Sequence, residues 1–248
     1  MRLFTKLSML IPLLSCGTEV FAEDDFSFAI MPVAYTQQSI YDGGKNNSGF
    51  FPVPELRWED MFIANGKIGI NLVKYQGLSI DLSVGGDYMG DTDRGDSKKL
   101  KDMKELDNVF TANIDLNYES DLGKLSFGYA QDISNKHKGH SLTAGYSYNI
   151  EFGRFFVEPS VSVTYASDDV ANYYYGVSKA DVTADRAFYR VDSTVNYEAG
   201  LMAGYVIDKN SMIIGFASIT KYDKEIKDSP IVVDDTAMTY GLGYRHQF

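Results

Sequence analysis

From residue 78 to the C-terminus, long runs of the chain alternate apolar and polar side chains with a period of two. In the last run, Met238, Tyr240, Leu242, Tyr244 and Phe248 alternate with Thr239, Gly241, Gly243, Arg245 and Gln247. Upstream, Val195, Tyr197, Ala199, Leu201, Ala203, Tyr205 and Ile207 alternate with Asn196, Glu198, Gly200, Met202 and Gly204. Leu142 to Ile150, Phe110 to Tyr118, Leu78 to Tyr88 and Phe155 to Val163 repeat the pattern. A period of two puts every second side chain on one face of a strand. Globular strands average only about five or six residues, whereas a strand tilted across a bilayer needs about 9 to 11. Runs this long, with Ser, Thr, Asn, Gly and Asp as polar partners and Tyr at many run ends, predict an all-β fold. The expected architecture is an antiparallel transmembrane β-barrel with an aromatic girdle. A soluble β-sandwich also alternates, but with shorter strands.

The first residues read differently. Arg2 and Lys6 precede the apolar run Leu7 to Leu14, and Val20-Phe21-Ala22 ends in a small residue. This layout predicts a signal peptide over 1–22, with the barrel over 23–248. Leu13-Leu14-Ser15-Cys16 is a loose lipobox, which offers a rival cleavage with Cys16 lipidated. No apolar run of membrane-spanning helix length follows, so a multi-span helical protein is excluded. The net charge of −11 argues against nucleic acid as a partner, because phosphate contact needs a basic face. The single Cys excludes a disulfide framework.

Connections alternate in length. Lys74 to Gly77, Glu119 to Gly123, Glu151 to Gly153 and Asp208 to Asn210 are short, while Thr36 to Gly49, Gly90 to Asp107, Asp132 to Gly139, Ser167 to Arg190 and Asp223 to Asp235 are long. Short turns at one end and long loops at the other are typical of outer-membrane barrels. Strand count turns on residues 50–74. Reading both Trp58-Glu59-Asp60 and Asn65-Gly66 as turns gives 12 strands, one of them very short; reading neither gives 10, one overlong. Twelve is expected, with an irregular strand start at Pro52 and Pro54, which donate no ladder hydrogen bonds. Ser97 to Leu106 is the one segment whose pattern would suit a helix.

Several motifs resemble the MipA/OmpV family. Phe51-Pro52-Val53-Pro54 looks like its PxP stretch after the first long loop. Tyr173, Tyr174, Tyr175, Gly176, Val177 and Ser178 look like its YYGVS loop signature, and Asp228, Ser229, Pro230, Ile231 and Val232 like its element before the last strand. Lys179-Ala180-Asp181 departs from the usual continuation. The resemblance implies an outer-membrane barrel with no catalytic residues. It also implies an envelope scaffold, since a namesake member is described as linking a lytic transglycosylase to a penicillin-binding protein. The partners so implied are outer-membrane lipid, the barrel-insertion machinery and murein-processing enzymes.

The residues themselves offer little catalytic chemistry and no cofactor motif. His137-Lys138-Gly139-His140-Ser141 could be a His/Ser pair or a weak metal pair, but no orienting acid or nucleophile elbow accompanies it, so a solvated loop is expected. Asp91-Thr92-Asp93-Arg94-Gly95-Asp96 is acidic enough for a Ca²⁺ site but lacks the remaining EF-hand ligands. Its Arg94-Gly95-Asp96 is also the tripeptide that some adhesins present. Strand parity points Asp81, Asp87, Asp115, Glu158, Glu198 and Arg245 inward, and Arg245 is expected to pair with Glu198 or a neighbour. An acidic lumen would make a small cation-preferring or solute pore the main alternative to the scaffold. A lipid-edge hydrolase is a further alternative that the sparse histidines disfavour.

Overall fold

The computed structural model describes residues 26–87 and 89–248; the expected signal peptide and Cys16 lie outside them. Twelve antiparallel strands form one sheet that closes on itself. They are β1 (Phe26–Gln37), β2 (Asn47–Trp58), β3 (Met61–Ala64), β4 (Lys67–Tyr75), β5 (Leu78–Gly86), β6 (Phe110–Ser120), β7 (Gly123–Asp132), β8 (His140–Ser147, continuing as Ile150–Phe152), β9 (Phe155–Ala166), β10 (Thr194–Asp208), β11 (Ser211–Lys221) and β12 (Thr236–Gln247). Each pairs with its neighbours in sequence, and β1 pairs with β12 to complete the ring. No described helix is long and apolar enough to cross a membrane; the crossing is made by strands.

The doubtful region resolves to two turns and a four-residue strand. Asn65 and Gly66 both have positive φ, 53° and 67°, as a two-residue hairpin turn requires. Glu59 at φ 51° makes the preceding turn. β8 is interrupted at Tyr148 and Asn149, opposite Pro159, where the Tyr148 N–H donates to the Pro159 carbonyl at 3.2 Å. Proline has no N–H with which to return the bond.

Lipid-facing and interior residues follow the expected parity. Leu201 is 48% exposed and its neighbour Met202 only 3%. Aromatic side chains stand outward at both rims. Phe50, Phe110, Tyr197 and Tyr240 lie toward the long-loop end; Trp58, Tyr75, Tyr118, Phe155 and Tyr244 lie toward the short turns.

The interior is divided. Along β1, β2 and β10–β12 it is filled by Met31, Val33, Tyr35, Phe51, Val53, Met202, Met212, Ile214 and Phe216, with Phe156 packed beside them. This half of the interior is therefore not a polar lumen. Dispersion contacts replace water wherever facing strands bring large apolar side chains inward. Along β4–β9 the inward residues are mostly Ser, Thr and Asn, and space remains.

The long loops are not independent. Ile40, Tyr41, Leu100, Met103, Val170, Ala171, Tyr174, Tyr175, Val177, Val191, Ile226, Ile231 and Val232 form a second apolar core above the barrel. Loops from hairpins around the rim meet in that core, so together they bridge the mouth. Within them, Asp168–Tyr175 forms a helix, α1, and Lys224–Lys227 a single turn, α2. Residues 97–106 are a string of turns that buries Leu100 and Met103 rather than the helix their pattern would suit.

Candidate functional site

Two places gather polar groups: the open half of the interior and the underside of the loop cap. The internal cavity has a volume of about 690 Å³. It runs from Gln76, Gly77 and Glu119 at the short-turn end to Asp87, Met89 and Tyr222 beneath the cap. Asp81, Asp115 and Glu198 line it as parity predicts, but so do Arg57, Lys67, Lys74 and Lys124. Lys67 Nζ lies 2.9 Å from Asp115 Oδ2, Asn71 donates to Asp81, and Thr220 Oγ1 donates to Glu198 Oε2 at 2.8 Å. The carboxylates therefore face cations and amides, and the wall carries both signs where an acidic lumen was expected.

Arg245 does not reach Glu198. Its Nε donates to Glu55 Oε2 at 2.9 Å, inside the packed half of the barrel. Parity placed Arg245 inward correctly, but Glu55 lies on β2, one strand beyond β1, where barrel closure alone brings it near.

The cap draws the family-type motifs together. Tyr174, Tyr175 and Val177 are fully buried there, and Ser229 Oγ donates to the Tyr175 carbonyl at 2.6 Å. Gly176 ends α1; a side chain there would meet the Asn172 carbonyl at 2.6 Å. Ser178 Oγ donates to Asp181 Oδ2 at 2.6 Å, and Asp228 lies 3.4 Å from Lys224 Nζ beside Ser229 and Pro230. These residues build the lid. Burial holds the Tyr41, Tyr174 and Tyr175 hydroxyls well above the ordinary phenol value.

His137 departs from the solvated loop expected of it. Its ring is buried, with Nε2 3.0 Å from Asp87 Oδ2, and Nδ1 accepts the Gly139 N–H at 2.9 Å. The Gly139 bond requires a lone pair on Nδ1, so the proton sits on Nε2 and is donated to Asp87. Tyr174 donates to the same Asp87 oxygen at 3.0 Å. Asp132 holds the loop beneath by accepting the N–H groups of Ser134, Lys136, His137 and Lys138. The orienting acid that the sequence hid is Asp87, fifty residues away. These bonds tie the loops around the rim to one another. His140 lies between the rings of Tyr129 and Tyr165.

The acidic hexapeptide also folds on itself. Asp91 Oδ1 accepts the Asp93 N–H and Oδ2 the Gly95 N–H, while Asp96 pairs with Lys45 at 2.9 Å. Arg94 is buried and donates to the Lys104 carbonyl at 2.9 Å, so the tripeptide is not displayed as a free loop. Among the described residues no group of three or more acidic, His or Cys side chains could hold a metal.

A closed antiparallel barrel with lipid-facing apolar side chains, aromatic rims, short turns at one end and long loops at the other is an integral outer-membrane protein. More particularly, the chain belongs to the family described as MltA-interacting protein MipA, whose model matches residues 32–248. It is 28% identical to the outer membrane protein Omp26La of Vibrio anguillarum over 64% of this chain and 61% of that one. It is 30% identical to outer membrane protein OmpV of Vibrio cholerae over 62% of this chain and 58% of that one. These two alignments span less than two thirds of either relative's length. The MltA-interacting protein of Escherichia coli K12 is 24% identical over 80% of this chain and 82% of its own. A solved outer-membrane channel from Pseudomonas putida F1 superposes with a TM-score of 0.48 at 11% identity, covering 94% and 99% of the two chains.

Proposed function

We propose that the protein is a non-enzymatic envelope interaction protein, a barrel whose task is to hold murein-processing enzymes at the outer membrane. The observation that carries this reading is the capped mouth. The loops from around the rim share one buried core above the mouth, and half of the interior is packed solid. A barrel stoppered in this way is poorly suited to bulk diffusion and well suited to presenting fixed surfaces. Its relative named MltA-interacting protein supports partners among murein enzymes. The buried His137, Asp87 and Tyr174 bond to one another and tie the loops of the lid together, which suits a structural role.

The short turns are the surfaces that would face murein, with the loop cap outside. A cysteine at Lys179 should then react with an impermeant reagent on intact cells and one at Lys209 should not; the reverse pattern would invert the topology. The functional test is crosslinking in intact envelopes followed by purification of the barrel. Murein hydrolases or synthases should be enriched with it. Their absence, together with an ion conductance in planar bilayers, would favour the solute-pore reading, which the mixed-charge cavity favours.

A further inference from the structure

The barrel wall is incompletely paired at one place. β2 pairs with β1 over its whole length, Asn47 to Trp58, but with β3 only through Leu56, Arg57 and Trp58. On that side no strand pairs with Asn47 to Glu55 among the described residues. The cause is the shortness of β3: the hairpin turns at Asn65-Gly66 and descends again, so its tip stops partway up the wall.

The direction of the exposed groups can be worked out. The Phe28 carbonyl accepts the Phe248 N–H and the Gln38 N–H donates to Met238, so even-numbered residues of β1 face β12. Their partners, the even-numbered residues of β2, therefore face away from β1, toward the gap. These are Ser48, Phe50, Pro52 and Pro54. Two of the four are prolines, which remove N–H groups where no acceptor stands. This also explains the PxP stretch, which is mid-strand and regular rather than an irregular start.

The gap lies at the depth of the bilayer. Phe50 pairs with Ala34, which pairs with lipid-facing Leu242, one outward side chain in from the rim residue Tyr240. Unpaired carbonyls at this depth are tolerated only where they border protein or a wet cavity. The cavity reaches the foot of the gap, where Phe62, Ala64, Asn65 and Lys67 of the β3–β4 hairpin line it.

We propose that this gap is a lateral port that admits the head group of a zwitterionic phospholipid into the cavity while its acyl chains stay in the bilayer. The cavity wall is hydroxyl- and amide-rich and carries both signs of charge, with Lys67 and Arg57 near Asp81 and Asp115. That matches a head group bearing phosphate and ammonium. The outer rim at Phe50, Pro52 and Pro54 is apolar and exposed, which suits chains.

The test places a single cysteine on the cavity wall, as Ser126→Cys or Thr143→Cys, in full-length protein reconstituted in vesicles. A phospholipid carrying a maleimide on its head group, a probe that keeps the phosphate but not the ammonium, should label both positions. Ala64→Trp, which narrows the port, should slow that labelling about tenfold while leaving reaction with a small water-soluble maleimide unchanged. Heat-modifiable migration checks folding of each variant. Native mass spectrometry of the unmodified protein should show retained phosphatidylethanolamine, reduced by Lys67→Gln. Labelling by the soluble but not the lipid-borne maleimide, or lipid labelling insensitive to Ala64→Trp, would overturn the proposal. So would complete loss of labelling at both cysteines in variants that fold.

Discussion

Glu55 and Arg245 provide a test of how this barrel is closed. Their side chains are 10% and 8% exposed, the Nε–Oε2 distance is 2.9 Å, and they join β2 to β12 across β1. The Arg245 guanidinium also reaches Gln247 Oε1 at 3.4 and 3.5 Å. Glu55→Gln keeps the shape but leaves a buried guanidinium without its counter-charge, which should cost about 3–5 kcal/mol. Arg245→Met alone leaves the buried carboxylate without the guanidinium and should also destabilise the barrel. Replacing both, as Glu55→Leu with Arg245→Met, puts apolar side chains beside the Met31, Val53 and Met212 cluster and should recover most of the loss or exceed wild type. The assay is urea unfolding of the refolded barrel in detergent, read by fluorescence. The chain's one tryptophan, Trp58, lies on β2 itself and reports that strand. The reasoning fails if Glu55→Leu and Arg245→Met, each measured alone, add to the double change within about 0.5 kcal/mol, because the two residues would then not be coupled.

Three further outcomes are expected. Leu201→Arg puts a charge on the lipid face and should cost about 2–4 kcal/mol if near the midplane. Met202→Arg should be similarly damaging because Met202 is buried in the apolar cluster, whereas Ser162→Arg enters the wet cavity and should assemble, as heat-modifiable migration would show. Ser229→Ala removes the hydrogen bond to Tyr175 and should loosen the cap by about 1 kcal/mol, seen as faster proteolysis within residues 167–193 with the barrel intact. Alkali should release the cap. The buried phenols of Tyr41, Tyr174 and Tyr175 stay protonated above their ordinary pKa of 10.0, where an opened loop would ionise. The folded cap then binds more protons than the open form, so its stability falls as pH rises beyond that value. A spectrophotometric tyrosine titration should show a late group of phenols whose ionisation coincides with protease sensitivity; ionisation in one early step would refute this.

Strand parity was legible wherever one face meets lipid and the other meets small polar residues, as in β6 and β12. It was legible too that residues 50–74 hold two turns, because Asn65-Gly66 has a turn chemistry of its own. The interior packing was hidden because in Met212-Ile213-Ile214 both faces are apolar, and a lipid-facing and a core-facing residue look alike. The cap was hidden for another reason. Its contacts join loops far apart in sequence, so no local period marks them. α1 was not read from the sequence, although Val170, Ala171, Tyr174 and Tyr175 stand at helical spacing behind Ser167. His137 and Asp87, and Arg245 and Glu55, could not be matched before the barrel closed, since 50 and 190 residues separate them.

The apolar half of the interior also bears on the chain before it reaches the membrane. A strand with one polar face can shelter its other face and remain soluble for a time. The stretch Ser211–Ala217 cannot, since Met212, Ile214 and Phe216 point one way and Ile213 the other, with no charge among them. In water it is a short, uncharged, β-prone segment without proline, the kind that stacks on copies of itself. Its partner β10 carries Met202 inward and Leu201 outward, so the hairpin as a whole is sticky on both sides. This protein should therefore depend more heavily on holding chaperones during transit than a barrel with a wholly polar lumen, and β10–β11 is the part they would need to cover.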